Sequence, residues 1–346
     1  MSRNRTFVAD RGDHGRRLDL VISRHVAGER RVSRTRVQRW IAYGHVHVDD
    51  VPARRPSQRV GSGAIVSIPG EEVPRSPRRT APAPSLSVIY EDDHLLIANK
   101  PPGVVVHPTY GHADGTLMNA LWHYAKDWPE GRTPSLVQRL DRDTSGAVLI
   151  AKSPAMHADL AAALREGQTI KAYLAVCYGR MLRPSRRIRQ PLGPDPGDRR
   201  RMIVRADGAE AETLVTRLAR SQRAARGLTL VRCQLITGRT HQIRVHLQAE
   251  GLPIVGDPVY GSDGWRQMKD APLAAVLRAF GRQALHAWRL SFVHPVTRLP
   301  LSVEANLPQD LTRLLVASGL DGAVTRLGDA PSARRSVASA RRPGPD

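Results

Sequence analysis

The sequence predicts two folded units, a small basic α/β unit followed by a larger α+β domain built around a mixed, largely antiparallel sheet. Three observations lead there. At 346 residues the chain exceeds the roughly 100–200 residues of one ordinary domain. Residues 71–85, EEVPRSPRRTAPAPS, hold four prolines, three arginines and one large apolar residue, Val73, the composition of a semi-extended linker. Beyond it the apolar segments are mostly strand-like, outnumber the helical ones and do not alternate with them in a strand–helix–strand rhythm, which argues against a doubly wound parallel sheet.

Residues 1–13 read as an N-terminal extension and 14–70 as the small unit. Arg17 to Ile22 opens one short helix, and Ser33 caps a second in which Val37, Trp40 and Ile41 fall at i, i+3 and i+4. Gly44 ends it. Then His45 to Val48 alternates as a strand before the Asp49–Asp50 turn, and Ala64 to Ile68 forms a last strand after Gly61-Ser62-Gly63. The second helix carries Arg34, Arg36 and Arg39 away from its apolar stripe, which suits it to lie along a phosphate backbone. His45 and His47 stand two apart without acidic or cysteine partners, so no metal site is expected there.

The larger domain is placed at 86–311. Strands are expected at Ser87–Tyr90 and Leu95–Ala98, then a helix from Thr116 with Leu117, Ala120, Leu121 and Tyr124 on one face. Ala147–Ala151 is an apolar strand, Met156–Leu164 an amphipathic helix stopped by Gly167, and Ile170–Tyr178, Thr213–Leu218 and Leu228–Ile236 are further strands. A short helix follows Thr240 as N-cap and ends before Gly251. The glycine- and proline-rich run Pro191–Arg201, with Arg199, Arg200 and Arg201, reads as a mobile loop suited to closing over a phosphate backbone. Residues 312–346 alternate Gly, Ala, Ser, Pro and Arg toward their end and are expected to be disordered.

A formal net charge of +21 points to a polyanionic partner. Nine of those charges fall in residues 1–84, where 17 arginines face 8 acidic residues. Only five of the 53 cations are lysine, a choice owed mostly to nucleotide bias, although the excess of positive charge is not explained that way. No apolar run approaches a membrane span, and the first 17 residues have no apolar signal core, so the protein is expected in the cytoplasm and off the membrane. Two cysteines, Cys177 and Cys233, suit a reducing compartment and cannot make a cysteine-rich zinc site. Three phenylalanines are too few for repeated base-stacking platforms.

Phosphate-cradling motifs are missing, since no Gly-Lys pair occurs and Gly61-Ser62-Gly63 lacks a third glycine and a following helix. Asp143-Thr144-Ser145-Gly146 has the look of an aspartic protease loop, but it occurs once and such enzymes need two carboxylates sharing a proton. Asp141 and Asp143 would serve as the carboxyl pair of a glycosidase, a chemistry that the strong positive charge does not suit.

The long runs are more telling. VQRLDRDTSGAVLIAK (137–152), IKAYLAVCYGR (170–180) and LITGRTHQIRVHLQAEGLPIVGDPVYG (235–261), with LLIANKPPGVVVHPTYGHADGTLMNAL (95–121) and LHAWRLSFVHP (285–295), resemble the RluA-type pseudouridine synthase family over about 220 residues. Ahead of them, the two-helix start, SRTRVQRWIAYGHVHVDD and GSGAIVSIP resemble an S4 RNA-binding domain, the arrangement of the family's ribosomal-RNA members.

The resemblance implies an isomerase that breaks the N1–C1′ bond of a uridine in RNA and rejoins the uracil through C5, with no cofactor and no metal. It implies 23S ribosomal RNA or a ribosome-assembly intermediate as partner, and a monomer. Asp141 matches the catalytic aspartate; a carboxylate there can attack C1′ or act as base toward the 2′ hydrogen, and both roles need the ionised form. Arg244 matches the arginine fixed beside it, Tyr173 the tyrosine that stacks on the flipped uracil, and Arg139 an arginine that helps hold RNA. One position departs: where the family reads His-Arg-Leu-Asp this chain has Gln138-Arg139-Leu140-Asp141. Two other functions fit parts of the chain, a noncatalytic S4-type RNA-binding or ribosome-assembly protein and a nucleoside hydrolase. Intact Asp141, Tyr173 and Arg244 weigh against the first, and release of free uracil would mark the second.

Overall fold

The structure is a computed structural model that describes residues 5–26, 32, 34–42, 44–69, 85–108, 114–198, 200–224 and 227–328. It divides into two compact units, residues 1–80 and 81–346. No helix among the described residues is long and apolar enough to cross a membrane.

The first unit is built from β1 (Arg5–Val8), α1 (Leu18–His25), α2 (Arg34–Ala42), β2 (Val46–Val48), β3 (Val51–Ala53) and β4 (Ile65–Ile68). Its four strands run in the order β1-β4-β2-β3, all antiparallel. Leu18, Val21 and Ile22 of α1 and Val37, Trp40 and Ile41 of α2 bury their stripes against Val46 and Val66 of the sheet. The expected extension at 1–13 is corrected here, because Arg5–Val8 pairs residue by residue with Ile65–Ile68 and closes the sheet edge. Arg34 bonds the buried carboxylate of Asp19, shared with Arg17 and Gln38. Arg36 lies over the Trp40 ring at 5.4 Å. Ser33, the side chain of Arg39 and the linker at 71–84 lie outside the described residues.

The second unit opens with β5 (Val88–Glu91), β6 (Leu95–Lys100), α3 (Leu117–Tyr124), β7 (Ser135–Leu136), β8 (Ser145–Ala151), α4 (Pro154–Arg165), β9 (Ile170–Tyr178) and β10 (Ser185–Arg189). It continues through β11 (Leu192–Pro194), β12 (Met202–Val204), β13 (Glu212–Arg220), β14 (Leu228–Leu235), α5 (Gln242–Ala249), α6 (Ala271–Ala279), β15 (Leu285–Val293), β16 (Pro300–Glu304), α7 (Gln309–Ser318) and α8 (Asp321–Gly328). Ten strands form one sheet in the order β10-β13-β14-β9-β15-β8-β6-β5, with β16 added on β15 and β7 on β8. Every pairing is antiparallel except β8 with β15, so the sheet is mixed and largely antiparallel.

The unbroken apolar runs of β6 and β8 follow from burial on both faces. Leu96, Ala98, Val148 and Ile150 enter the main core, while the alternate residues Leu95, Ile97, Ala147 and Leu149 enter a second core under Met156 and Leu160 of α4. Register does the positioning: Ala287 of β15 pairs with Gly146 on one side and Tyr173 on the other. The start of β8 and the middle of β9 therefore sit one strand apart. Gly146 has φ +117, and a Cβ there would stand 2.2 Å from the Ala287 carbonyl oxygen, so only glycine allows this approach.

Two expectations are corrected. Residues 312–328 are not a disordered tail, since Leu311, Leu314 and Leu315 recur at i, i+3 and i+4 and bury α7, Gly319 turns the chain, and Leu320 and Ala323 add to the main core. The basic composition after them had masked that stripe; residues 329–346 lie outside the described residues. The run at 191–201 is not a loop throughout but part of a hairpin, with Leu192–Pro194 paired to Met202–Val204. Arg199 at its tip lies outside the described residues.

Candidate active site

After β7 the chain follows the edge of β8, where the Val137 N–H donates to the Leu149 carbonyl at 3.0 Å. The Gln138 side chain extends that ladder by donating Nε2 to the Ala147 carbonyl at 3.3 Å. The chain then reverses at 141–144, a turn closed by the Thr144 N–H donating to the Asp141 carbonyl at 3.1 Å, and returns as β8.

Four side chains from elsewhere pin this turn. Lys100 at the end of β6 donates Nζ to the carbonyls of Pro101, Val104 and Arg142 at 2.8–2.9 Å. Its burial pushes its pKa down to about 7, against the attraction of Asp143 and Asp141. Arg282 donates Nη1 to the Asp143 carbonyl at 3.0 Å and is itself held by Asp310. Gln283 donates Nε2 to the Thr144 hydroxyl at 3.2 Å. Arg244 bonds the Asp141 carboxylate, Nη1 to Oδ2, at 2.9 Å.

Arg244 stands on α5, whose start is shaped by Gln242. The Gln242 amide oxygen accepts from Arg239 N–H and the Thr237 hydroxyl, while its Nε2 donates to the Glu212 carbonyl and the Thr213 hydroxyl. The N-cap is His241, in the left-handed region at φ 56, and not Thr240 as expected. Arg244 is 5% exposed, and its Nε and Nη2 donate to both oxygens of Asp257, which also accepts from the N–H groups of Val259 and Tyr260. Burial favours the neutral guanidine, yet the two carboxylates outweigh it and raise the Arg244 pKa. Burial likewise raises Asp257 while its bonds to Arg244 and the backbone bring it below the ordinary carboxylate value.

Asp141, Arg139, Tyr173, Arg239, His241 and Arg244 share one cavity of about 680 Å³, within the size range of small-molecule sites. Tyr173 on β9 is buried, and burial first, the Asp141 charge second, raise its phenol pKa. Arg139 is exposed at the rim. His241 Nε2 stands 4.0 Å from Asp141 Oδ1. His246 is occupied elsewhere, between the Thr213 hydroxyl and the Gln190 carbonyl.

Arg139 and Asp141, Tyr173, and Arg244, from three distant stretches of the sequence, thus meet at one cavity. Arg200 does not, being exposed and paired with Asp198, whereas Arg201 lies 5.6 Å from the Tyr260 ring beside the site. Lys100, Asp257 and Gln242 were not singled out from sequence, and His241 stands out there only as one of two histidines, with His246, spaced too far round the helix to share a metal. The runs NKPPG and VGDPVYG held the signal for the first two, a lysine at the end of an apolar strand and an aspartate three residues before a tyrosine.

The sequence profile of the family described as RNA pseudouridylate synthase matches residues 94–249, and that of the S4 domain matches 16–66. The chain is 39% identical over 312 residues to the ribosomal large subunit pseudouridine synthase D of Xanthomonas campestris, covering 89% of this chain and 91% of that one. It is 38% identical to an uncharacterized RNA pseudouridine synthase of Bacillus subtilis, over 82% of this chain and 88% of that one. Among solved structures, the human RNA pseudouridylate synthase domain containing 1 protein superposes with a TM-score of 0.52 at 26% identity, covering 71% of this chain and 96% of that one.

Proposed function

The chain belongs to the RNA pseudouridylate synthase family, carries an S4 domain and is an isomerase acting on RNA, and from that premise we propose that it converts uridines of 23S ribosomal RNA to pseudouridine with Asp141 as the catalytic carboxylate. The observation that carries the proposal is the carboxylate of Asp141 held at a cavity by a guanidinium that Asp257 fixes from behind. The relatives named ribosomal large subunit pseudouridine synthase D support the choice of RNA. The proposal includes a monomeric enzyme of the cytoplasm.

In the reaction the N1–C1′ bond breaks, the uracil turns within the cavity, C5 bonds to C1′, and C5 gives up its proton while N1 gains one. The ionised Asp141 starts this by attacking C1′ or by taking the 2′ hydrogen, and Arg244 supplies a fixed positive charge to the carboxylate in either case. Tyr173 offers its ring as the wall against which the flipped uracil stacks. Arg139, exposed at the rim, meets the RNA that the base has left.

Incubation with transcripts of 23S ribosomal RNA and of transfer RNA, followed by mapping of pseudouridine, tests this reading. Pseudouridine at a few positions of the 23S transcript is expected. Modification of the transfer RNA alone would overturn the choice of substrate, and free uracil without pseudouridine would overturn the reaction.

A further inference from the structure

The hairpin β11–β12 and the Asp141 carboxylate are joined through one phenol. Tyr260 is 1% exposed, and with Leu192, Ala211, Val245 and half-buried Met202 it forms a small core separate from the main one. Leu192 and Met202 belong to the hairpin, Val245 to α5. The Tyr260 hydroxyl lies 2.8 Å from the Met202 backbone nitrogen and 2.9 Å from His241 Nδ1. Its ring is 4.9 Å from the Arg244 guanidinium and 5.6 Å from that of Arg201, so it touches the arginine that holds Asp141 and an arginine of the hairpin. The Nε of Arg201 is buried with no hydrogen-bond partner among the described residues.

The bonding order follows from the donors. The Met202 N–H can only donate, so the phenol oxygen accepts it, and because His241 turns Nε2 toward the Asp141 carboxylate, its Nδ1 is the nitrogen that accepts the phenol hydrogen. The imidazole hydrogen then resides on Nε2, which faces Asp141 Oδ1 at 4.0 Å. The other tautomer would turn a lone pair toward a carboxylate. At 4.0 Å the Nε2–H is too far to be consumed by Asp141 and remains available to an oxygen of a bound nucleoside. His241 also holds a left-handed backbone at φ 56, a conformation uncommon in residues that carry a side chain.

We infer that Tyr260 is a positioning residue that couples the arginine-bearing hairpin to the catalytic centre. When the hairpin seats on RNA, the Met202 amide fixes the phenol, the phenol fixes the imidazole, and His241 presents one N–H to a ribose or uracil oxygen beside Asp141. This rests on the reading of Asp141 as the catalytic carboxylate, and it adds a route by which RNA engagement outside the cavity sets geometry within it.

Single-turnover isomerisation by the full chain on a 23S ribosomal RNA transcript tests the coupling, with RNA affinity and melting temperature measured alongside. Tyr260→Phe keeps the ring and removes only the hydroxyl; its rate at saturating RNA is expected to fall roughly 10- to 100-fold, the scale of a small misplacement, while affinity stays within about threefold. Arg201→Gln should also slow the reaction, and the double variant should be no slower than Tyr260→Phe alone, because both changes cut one chain of contacts. His241→Gln, which restores an N–H near the former Nε2, should recover most of the rate lost in His241→Leu. A Tyr260→Phe rate within threefold of wild type, a double variant as slow as the product of its singles, or equal losses in the two His241 variants would overturn the coupling. A wild-type chain that forms no pseudouridine would instead overturn the reading on which it rests.

Discussion

Arg244 donates Nη1 to Asp141 Oδ2 at 2.9 Å while Asp257 occupies the rest of its fork, Nε and Nη2, at 2.7 and 2.8 Å. One cation therefore serves two carboxylates, one fully buried and one open to the cavity. The inner pair fixes where the outer bond is made, since a guanidinium held bidentately has no freedom to follow Asp141 elsewhere.

Arg244→Lys should be far from conservative. An ammonium keeps the charge but not the planar fork, and cannot bond both carboxylates in this geometry. Turnover is expected to fall at least about 100-fold. Asp257→Asn, which removes the buried one of the guanidinium's two counter-charges, should cost up to about 3–5 kcal/mol of unfolding free energy as well as activity. Steady-state kinetics with denaturant titration checks both; Arg244→Lys within fivefold of wild type would show that the fork is dispensable.

Gln138 occupies the place where the family pattern has histidine, and its side chain donates to the Ala147 carbonyl along the β8 edge. A neutral histidine can donate one such bond as well. Gln138→His should accordingly change turnover by less than about tenfold, or 1.4 kcal/mol in barrier. Its pH–rate profile should gain no new step near 6.5. A large gain with such a step would assign proton transfer to the position.

Much of this site was legible in residues alone because its chemistry is carried by contiguous runs. Asp141 lies in RLDRDTSG, Arg244 in GRTHQIR, and the strand bearing Tyr173 is one almost continuous apolar run. What stayed hidden was set by long-range contact. Asp257 is an ordinary loop aspartate until α5 brings Arg244 against it, and Lys100 reads as the end of a strand until the turn at 141–144 closes over its ammonium. Helix α7 was missed for a different reason, as the basic, small-residue composition behind it outweighed a three-leucine stripe. The hairpin β11–β12 has strands of three residues, too short for alternation to show.

His286 gives a pH dependence that can be isolated. It lies buried between the Ser145 hydroxyl and the Ala305 carbonyl, and burial, only partly countered by the bond to Ala305, brings its pKa down to about 4. A histidine depressed on folding binds its proton more tightly when unfolded, so its contribution is complete above about pH 6.5 and is lost as the pH falls toward 4. That amounts to roughly 3 kcal/mol, from 1.36 kcal/mol per unit. Denaturant titrations of wild type and His286→Gln between pH 7 and 4 should show a shallower loss in the variant; parallel curves would mean that His286 takes up its proton as readily in the folded chain as in the unfolded one.

Removing residues 1–84 should weaken RNA binding and flatten its salt dependence, because nine of the net charges leave with them and each phosphate contact contributes a slope of about 0.7–0.9 in log K against log salt. The remaining domain should be cut after residue 328, since a chain ending at Leu311 would lose the buried Leu314, Leu315 and Leu320. Filter binding across a salt series reads the slope. An unchanged slope would mean that the N-terminal unit does not touch RNA.

The role of Asp141 is tested most directly by Asp141→Asn, which keeps the shape of the side chain and removes its anion. Release of tritium from RNA labelled at C5 of uridine reports the exchange of the C5 proton that isomerisation requires. No release above background, with RNA affinity within about threefold of wild type, is the expected result. Release within tenfold of wild type would contradict the assignment of Asp141 as the catalytic carboxylate.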